Sequence, residues 1–148
     1  MFVRLALESD MDAIIEMAAA NMAETRPELE YSEDRVRDTV YSYLDTASPT
    51  FFVVEDSREV IGMLMADIME FRASDGLFTI QEVLYVKPEK RGSRASVILM
   101  KQLIEWSENL GAKEIIGGND NGFNSERTAR FLEHFGFQRV GFSMRREN

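Results

Sequence analysis

Hydrophobic positions along the chain change repeatedly between a spacing of two residues, typical of strands, and a spacing of three or four, typical of helices. Each change falls beside Gly, Pro, Ser, Asp or Asn, the residue types that begin or end such elements. The pattern predicts strands over residues 2–6, 51–55, 60–66, 77–86, 112–116 and 137–144, and helices over residues 11–26, 32–46, 96–110 and 125–135.

Local signals place several boundaries more closely. Ser9 and Asp10 are expected to cap the first helix, and Ser32 the second, because their side-chain oxygens can accept from unpaired helical N–H groups. Turns are predicted at residues 56–58 and 74–76, between successive strands. The third helix carries one apolar stripe, formed by Leu99, Leu103, Trp106 and Leu110.

The resulting order of elements is β-α-α-β-β-β-α-β-α-β. Strands in hairpin succession pair antiparallel, whereas a strand–helix–strand unit requires a crossover and parallel pairing. We therefore predict an α+β fold of three layers with a mixed sheet. The 148 residues are enough for a single domain, over residues 1–148, with its own core.

Composition narrows the class of protein. Hydrophobic residues make up 45% and charged residues 29%, as in globular proteins, and no apolar run approaches the ~20 residues of a spanning helix. The chain has no Cys and a single His, His134, so we expect no disulfide, no metal site and no Ser-His-Asp triad. The net charge of −9 argues against nucleic acid or membrane partners. A cytoplasmic location is expected.

One stretch suggests chemistry: "LYVKPEKRGSRASVILM", residues 84–100. An apolar strand ends near Pro88, and a loop of cations and small residues leads into a helix. Helix N-termini leave unpaired N–H groups that bind anions, and small residues let a ligand approach them. The loop is either a cradle for phosphate or pyrophosphate, or an ordinary solvated loop.

The element order gives this loop a context. A strand ending in V-x-P-E-x-R-G, then a helix, a short strand and a helix ending in G-F resembles the GNAT superfamily of acyl-CoA-dependent N-acyltransferases. The opening "VRLALESDMDAIIEM" and the strand "EVIGML" extend the resemblance over the whole chain. It implies a mostly antiparallel sheet with one splayed parallel strand pair, and acetyl-CoA as co-substrate.

The resemblance also assigns coenzyme-binding residues. Arg91 takes the first place of the family's pyrophosphate loop, and Arg94 stands where the family has Gly. A side chain there would be strained if the site required a positive φ. The pantetheine arm is expected at the end of the strand and at the last helix, although Asn124 and Ser125 could equally be helix caps. The implied coenzyme contacts are Leu84, Val86, Arg91, Gly92, Ser93, Arg94, Ala95, Ser96, Asn124 and Ser125.

Catalysis in this family needs a base for the amine and a route for the departing thiolate. Glu82, on the strand before the loop, is the predicted base; the alternative is a carboxylate that faces solvent. The Tyr that many members use as acid aligns with Leu132, so Tyr85 is considered as a substitute. A backbone N–H near residues 84–86 would polarise the carbonyl.

The resemblance implies that the acceptor is a small-molecule or peptide amine, and that the region between the first two helices recognises it. Glu28, Glu30 and Tyr31, with Glu24, are the residues expected to face an amine cation; a solvated loop is the alternative. A different function is also open, namely a catalytically silent relative that binds coenzyme A or a protein partner. A homodimer is among the expectations for the assembly.

Overall fold

A computed structural model of the chain describes residues 1–46 and 50–148. They form two compact units, Met1–Ile116 and Gly117–Asn148, which are described separately below. The first unit contains β1 (Phe2–Leu5), α1 (Met11–Thr25), α2 (Glu33–Leu44), β2 (Phe51–Asp56), β3 (Glu59–Glu70), β4 (Leu77–Val86), α3 (Ala95–Asn109) and β5 (Ile115–Ile116), with single 3-10 turns at Glu8–Asp10 and Pro88–Lys90; the second contains α4 (Ser125–Glu133).

The five strands form one sheet in the order β1-β2-β3-β4-β5. All neighbours are antiparallel except β4 and β5, which are parallel, so the predicted mixed α+β fold is confirmed. The parallel pairing involves only Thr79 with Ile115 and Ile80 with Ile116, whereas β4 continues to Val86. Among the described residues, the last six residues of β4 therefore have a strand neighbour on one edge only.

Helices cover both faces of this sheet. The first face packs against α1 and α2 through a buried cluster that includes Ile14, Met17 and Val53. On the other face lies α3, whose Leu99 and Leu103 are fully buried as the predicted stripe requires. Burying each such aliphatic side chain contributes about 1.5–3 kcal/mol, so these two interfaces hold β4 in place from above and below.

The helix starts were only partly predictable. Ser32 caps α2 as expected, with its hydroxyl accepting from Arg35 N–H at 3.2 Å. Asp10 precedes α1, but its carboxylate accepts from Leu7 N–H at 2.8 Å and makes no bond to the helix. Asp10 is drawn back toward β1 because Arg4 donates to both of its oxygens, at 2.7 and 2.9 Å.

The second unit differs from prediction at its end. Residues 117–148 are all described, and no strand forms among them, so the closing strand expected over residues 137–144 is wrong. Val140, Phe142 and Met144 are 90%, 97% and 91% exposed. Alternating apolar residues indicate which face of a strand would be buried, but a strand also needs a neighbour for its N–H and C=O groups.

Candidate functional site

The strand β4 carries a bulge at Glu82. Gln81 is opposite Ala66 and Val83 is opposite Met65, so Glu82 is an extra residue with no residue opposite it on β3. A bulge locally interrupts the ladder and redirects a side chain, and bulges are frequent beside active sites. Glu82 is exposed and interacts electrostatically with Tyr43 of α2, on the face of the sheet that α1 and α2 cover.

Beyond the bulge, β4 presents backbone groups to an open edge. Lys87 N–H donates to Ile61 O of β3 at 2.9 Å. Because N–H groups alternate between the two edges of an antiparallel strand, those of Leu84 and Val86 point away from β3. The pairing with β5 on this edge ends at Ile80, so two of the predicted coenzyme contacts lie on the part of β4 with which β5 does not pair.

The loop after β4 is shaped by Gly92. Its φ of +85° lies in the region that glycine adopts most easily, and no atom lies within 4 Å of a Cβ built there. Arg94 has φ −79° and ψ 0°, so the strain considered for a side chain at this position is absent. Ser93 accepts from Ala95 N–H at 3.3 Å through its hydroxyl. The residue with a positive φ is thus Gly92, two positions before Arg94, where the resemblance would have placed it.

The first turn of α3 offers anion-binding groups. Ile98 N–H bonds to Arg94 O at 2.9 Å, but the N–H groups of Ser96 and Val97 find no acceptor among the described residues. Ala95, the first residue of the helix, is small and fully buried, whereas Ser96 and Val97 are partly exposed. The exposed side chain of Arg94 makes no hydrogen bond or ion pair within residues 1–46 and 50–148. Free amides and a free cation thus coincide at one helix N-terminus.

Arg91 is placed differently from Arg94. Its guanidinium forms an ion pair with Glu24 of α1 at 2.9 Å, and its Nε–H donates to Val86 O at 3.1 Å. It also lies over the ring of Tyr85, 5.4 Å from the centroid. The Tyr85 side chain is only 4% exposed, and burial raises the pKa of its hydroxyl while Arg91 counteracts the rise.

A pair of residues that sequence reasoning missed lies next to Glu82. Burial, together with the nearby carboxylate of Asp67 on β3, raises the pKa of the Tyr43 hydroxyl well above its usual range. Both residues line an open cavity of about 360 Å³, whose other described lining residues are Ser42, Thr46, Thr50 and Ile68. The only signal in the sequence was Asp67, an acid within the apolar run that forms β3.

The residues predicted to face an amine have mixed surroundings. Tyr31 donates its hydroxyl to Ile15 O at 3.1 Å and packs against the core. Glu28 forms an ion pair with Arg26. Glu30 is exposed and makes no ion pair within the described part of the chain. Tyr31 therefore has a structural partner, while the two carboxylates lie at the surface between α1 and α2.

In the second unit, the start of α4 carries its own polar network. Asn124 precedes the helix with φ +50° and makes no side-chain capping bond. The hydroxyl of Ser125 lies 2.7 Å from Asn119 Oδ1, to which it donates. Neither residue therefore caps α4 with its side chain, and their predicted contact with pantetheine stays a prediction. Leu132 is buried, and His134 is exposed just after the helix.

Among the described residues, no helix combines the length and the apolar composition that a membrane span requires. Within the same residues, no group of three or more His, Cys, Asp or Glu side chains is arranged to hold a metal ion.

Solved structures share this fold. A transcriptional regulator from Bacillus halodurans C-125 has a TM-score of 0.81 at 18% identity, over 99% of this chain and 98% of that chain. The aminoglycoside 6'-N-acetyltransferase AAC(6')-IG from Acinetobacter haemolyticus has a TM-score of 0.70 at 18% identity, over 99% and 100%. The aminoglycoside N-acetyltransferase AAC(6')-Iy, solved in complex with CoA, has a TM-score of 0.78 at 14% identity, over 99% of this chain and 93% of that chain.

No curated protein matches the sequence with significance. The sequence does match the acetyltransferase (GNAT) family over residues 11–137, from the start of α1 to just beyond α4. That match covers most of the chain and confirms the resemblance that the loop and the element order indicated. The chain therefore belongs to the acetyltransferase (GNAT) family.

Proposed function

We propose that this protein is an N-acetyltransferase that transfers an acetyl group from acetyl-CoA to a primary amine by direct attack. The observation that carries the proposal is the open edge of β4: the parallel pairing stops at Ile80, a bulge places Glu82 there, and the strand leads into free amides at the start of α3. Family membership supports the acetyltransferase class, and the choice of amine is part of the proposal.

The chain's groups fit the coenzyme. The unpaired N–H groups of Ser96 and Val97 would hold its pyrophosphate, with Arg94 adding a full positive charge. The open-edge N–H groups of Leu84 and Val86 would pair with its pantetheine arm. When bound, acetyl-CoA supplies a thioester carbonyl that is activated toward amines. N–H donors on this edge are of the kind that stabilises developing negative charge on oxygen.

Glu82 would accept the proton of the amine, directly or through water. A lysine-like amine has a pKa of ~10.4, which is ~3.4 units above pH 7, so removing its proton at that pH costs about 4.6 kcal/mol. A carboxylate at the bulge would provide a route for this proton, by accepting it as the amine attacks and passing it on to water. The exposure of Glu82 gives it access to water and to a substrate.

The departing thiolate needs no protein acid. For a thiol of pKa ~8.5, the thiolate lies about 2 kcal/mol above the protonated thiol at pH 7. This cost is modest, and later protonation by water offsets it. Leu132 cannot donate a proton, and the hydroxyl of Tyr85 belongs to a buried ring under Arg91. We therefore assign proton return to water rather than to Tyr85.

The acceptor is expected to be a cationic small molecule or peptide. Asp67 lines the cavity beside Glu82, and Glu28 and Glu30 lie at the surface between α1 and α2. A chain of net charge −9 attracts cations over longer distances as well. These features favour an acceptor amine on a positively charged molecule over one on a neutral or acidic molecule.

A second candidate is a relative that binds coenzyme A without turnover and regulates another process. It is favoured by Leu132 in the place where many family members have a tyrosine. A solved structure of the same fold carries the name of a transcriptional regulator.

Calorimetric titration with acetyl-CoA, followed by thiol release with spermidine, kanamycin and a Lys-containing peptide, tests both candidates. We expect saturable binding, perturbed Ser96 and Val97 amide resonances, and turnover with at least one cationic amine. Binding without turnover across the panel would favour the regulatory candidate. An unchanged melting temperature and unchanged amide resonances at millimolar coenzyme would reject both.

A further inference from the structure

Three contacts converge on the guanidinium of Arg91. It forms an ion pair with the carboxylate of Glu24 at 2.9 Å, its Nε–H donates to the carbonyl of Val86 at 3.1 Å, and it lies over the Tyr85 ring, 5.4 Å from the ring centroid. Glu24 belongs to α1, whereas the other two partners are the last residues of β4. Arg91 therefore links a helix to a strand that is more than fifty positions away in sequence.

Each contact suits arginine rather than lysine. The guanidinium holds its N–H donors in one rigid plane and can lay the face of that plane on an aromatic ring, whereas the ammonium of lysine is a compact point charge without such a face. Glu24 lies in the last turn of α1, where the helix dipole disfavours an acid. A cation at 2.9 Å offsets that penalty. The side chains of Arg91 and Glu24 are 37% and 26% exposed, so water screens the pair only in part.

The side chain of Arg91 points away from the anion-binding amides at the start of α3. Its partners Glu24 and Tyr85 lie on the face of the sheet that α1 covers, while α3 packs against the opposite face. The side chain that remains free at the α3 N-terminus is Arg94. Two arginines three residues apart in one loop thus have different surroundings.

We propose that Arg91 is a positioning residue that holds the last turn of α1 against the end of β4, and that Arg94 is the arginine that binds the coenzyme's phosphates. The role of Arg94 rests on the proposed function; the link between α1 and β4 does not. Because α1 borders the acidic surface assigned to the amine, Arg91 would act on acceptor binding and not on coenzyme binding.

Hydrogen exchange and calorimetry on the full chain test this with Arg91→Ala, Glu24→Gln and Arg94→Ala. Exchange of the Arg26 amide, which bonds to Met22 O at 2.8 Å, reports on the last turn of α1. Arg91→Ala and Glu24→Gln should each speed it about tenfold and leave the Kd for coenzyme A within about twofold. Arg94→Ala should raise that Kd about tenfold and leave the exchange unchanged.

Kinetics provide a readout that loss of structure alone would not give. With the fastest amine of the panel above, Arg91→Ala should raise the acceptor KM about tenfold and leave the KM for acetyl-CoA unchanged. Arg91→Lys keeps the charge but cannot reach Val86 O and Glu24 together, so exchange should stay fast. If Arg91 instead bound the coenzyme's phosphates through its positive charge, Arg91→Lys would keep the affinity for coenzyme A and Arg91→Ala would lose it.

The outcomes are distinct. A tenfold loss of coenzyme affinity in Arg91→Ala, tighter binding in Glu24→Gln, or unchanged exchange at Arg26 in both variants would overturn the inference. If the unaltered protein does not bind coenzyme A, the proposed function fails, and exchange at Arg26 alone decides whether Arg91 holds α1. If Arg91→Ala does not fold, Glu24→Gln decides the same question with the loop intact.

Discussion

The hydroxyl oxygens of Thr79 and Ser107 lie 2.7 Å apart, and both side chains are almost completely buried. Thr79 belongs to β4 and Ser107 to α3, so this hydrogen bond joins the strand to the helix that follows it. It lies within the crossover that brings β5 parallel to β4. The alignment of β4 with α3, on which the candidate site depends, is thus fixed by a polar contact inside an apolar interface.

Breaking this bond from one side should be worse than removing it altogether. A buried hydroxyl without a partner costs about 1–3 kcal/mol, whereas replacing both groups by apolar ones is nearly neutral. Thr79→Val alone should therefore lower the free energy of unfolding by about 2 kcal/mol. Thr79→Val combined with Ser107→Ala should recover part of that loss in urea denaturation. Equal or greater instability of the double variant would contradict this.

Gly92→Ala should weaken coenzyme binding without a steric clash. No atom lies within 4 Å of the added Cβ, so the cost of about 1 kcal/mol comes from the positive φ alone. Gly111→Ala is the matched control, because it has φ +74° and equally open surroundings after α3. Both variants should lose similar stability, and only Gly92→Ala should change the calorimetric Kd for coenzyme A.

Asp10 should make stability depend on acid pH. Hydrogen bonds from Arg4 and from Leu7 N–H hold the pKa of Asp10 below its ordinary 3.8 despite partial burial. The stabilisation is thus fully present above the unfolded-state pKa and is lost as pH falls through the lower folded-state value. Asp10→Asn should cost about 2 kcal/mol at pH 7 in denaturant titrations, and the difference should shrink in strong acid.

An exposed ion pair provides the contrast. Arg139 lowers the pKa of Glu126, but both side chains are more than half exposed to solvent, which screens their interaction. Glu126→Gln should therefore leave the unfolding midpoint nearly unchanged at every pH. A gap between the Asp10→Asn variant and the unaltered protein that widens toward low pH would show that the sign assigned to Asp10 is wrong.

Glu82→Gln should remove the acidic limb of the pH–rate profile if Glu82 receives the amine's proton. General-base catalysis typically contributes 10²–10⁴-fold, so a loss of at least about 100-fold in kcat is expected near neutral pH. Glu70→Gln removes an exposed carboxylate from the neighbouring strand and should leave the profile intact. Identical pH–rate profiles for Glu82→Gln and the unaltered protein would show that Glu82 is not the base.

Short-range signals predicted most of the elements. The bounds of β4, the cap at Ser32 and the buried stripe of α3 all follow from periodicity and local chemistry. The family followed from the residues around the loop, since their order is characteristic. These features depend on neighbours along the chain, which the sequence displays directly.

Features that depend on distant partners were not predictable. Asp10 turns from α1 because Arg4 is beside it, and Arg91 turns toward α1 because Glu24 is there. The bulge at Glu82 arises from the count of residues on two strands, which neither strand reveals alone. Residues 137–144 show the converse, a strand-like pattern without a neighbouring strand.

The bulge has a consequence for the whole ladder. Because Gln81 and Val83 already face consecutive residues of β3, excising Glu82 would close the gap and leave every other pair in register. The shortened chain would have an uninterrupted ladder between β3 and β4 and would lack the carboxylate of Glu82. If Glu82 is the base proposed above, the same position interrupts the ladder and carries the reaction, so deleting Glu82 should give a more regular sheet without that base.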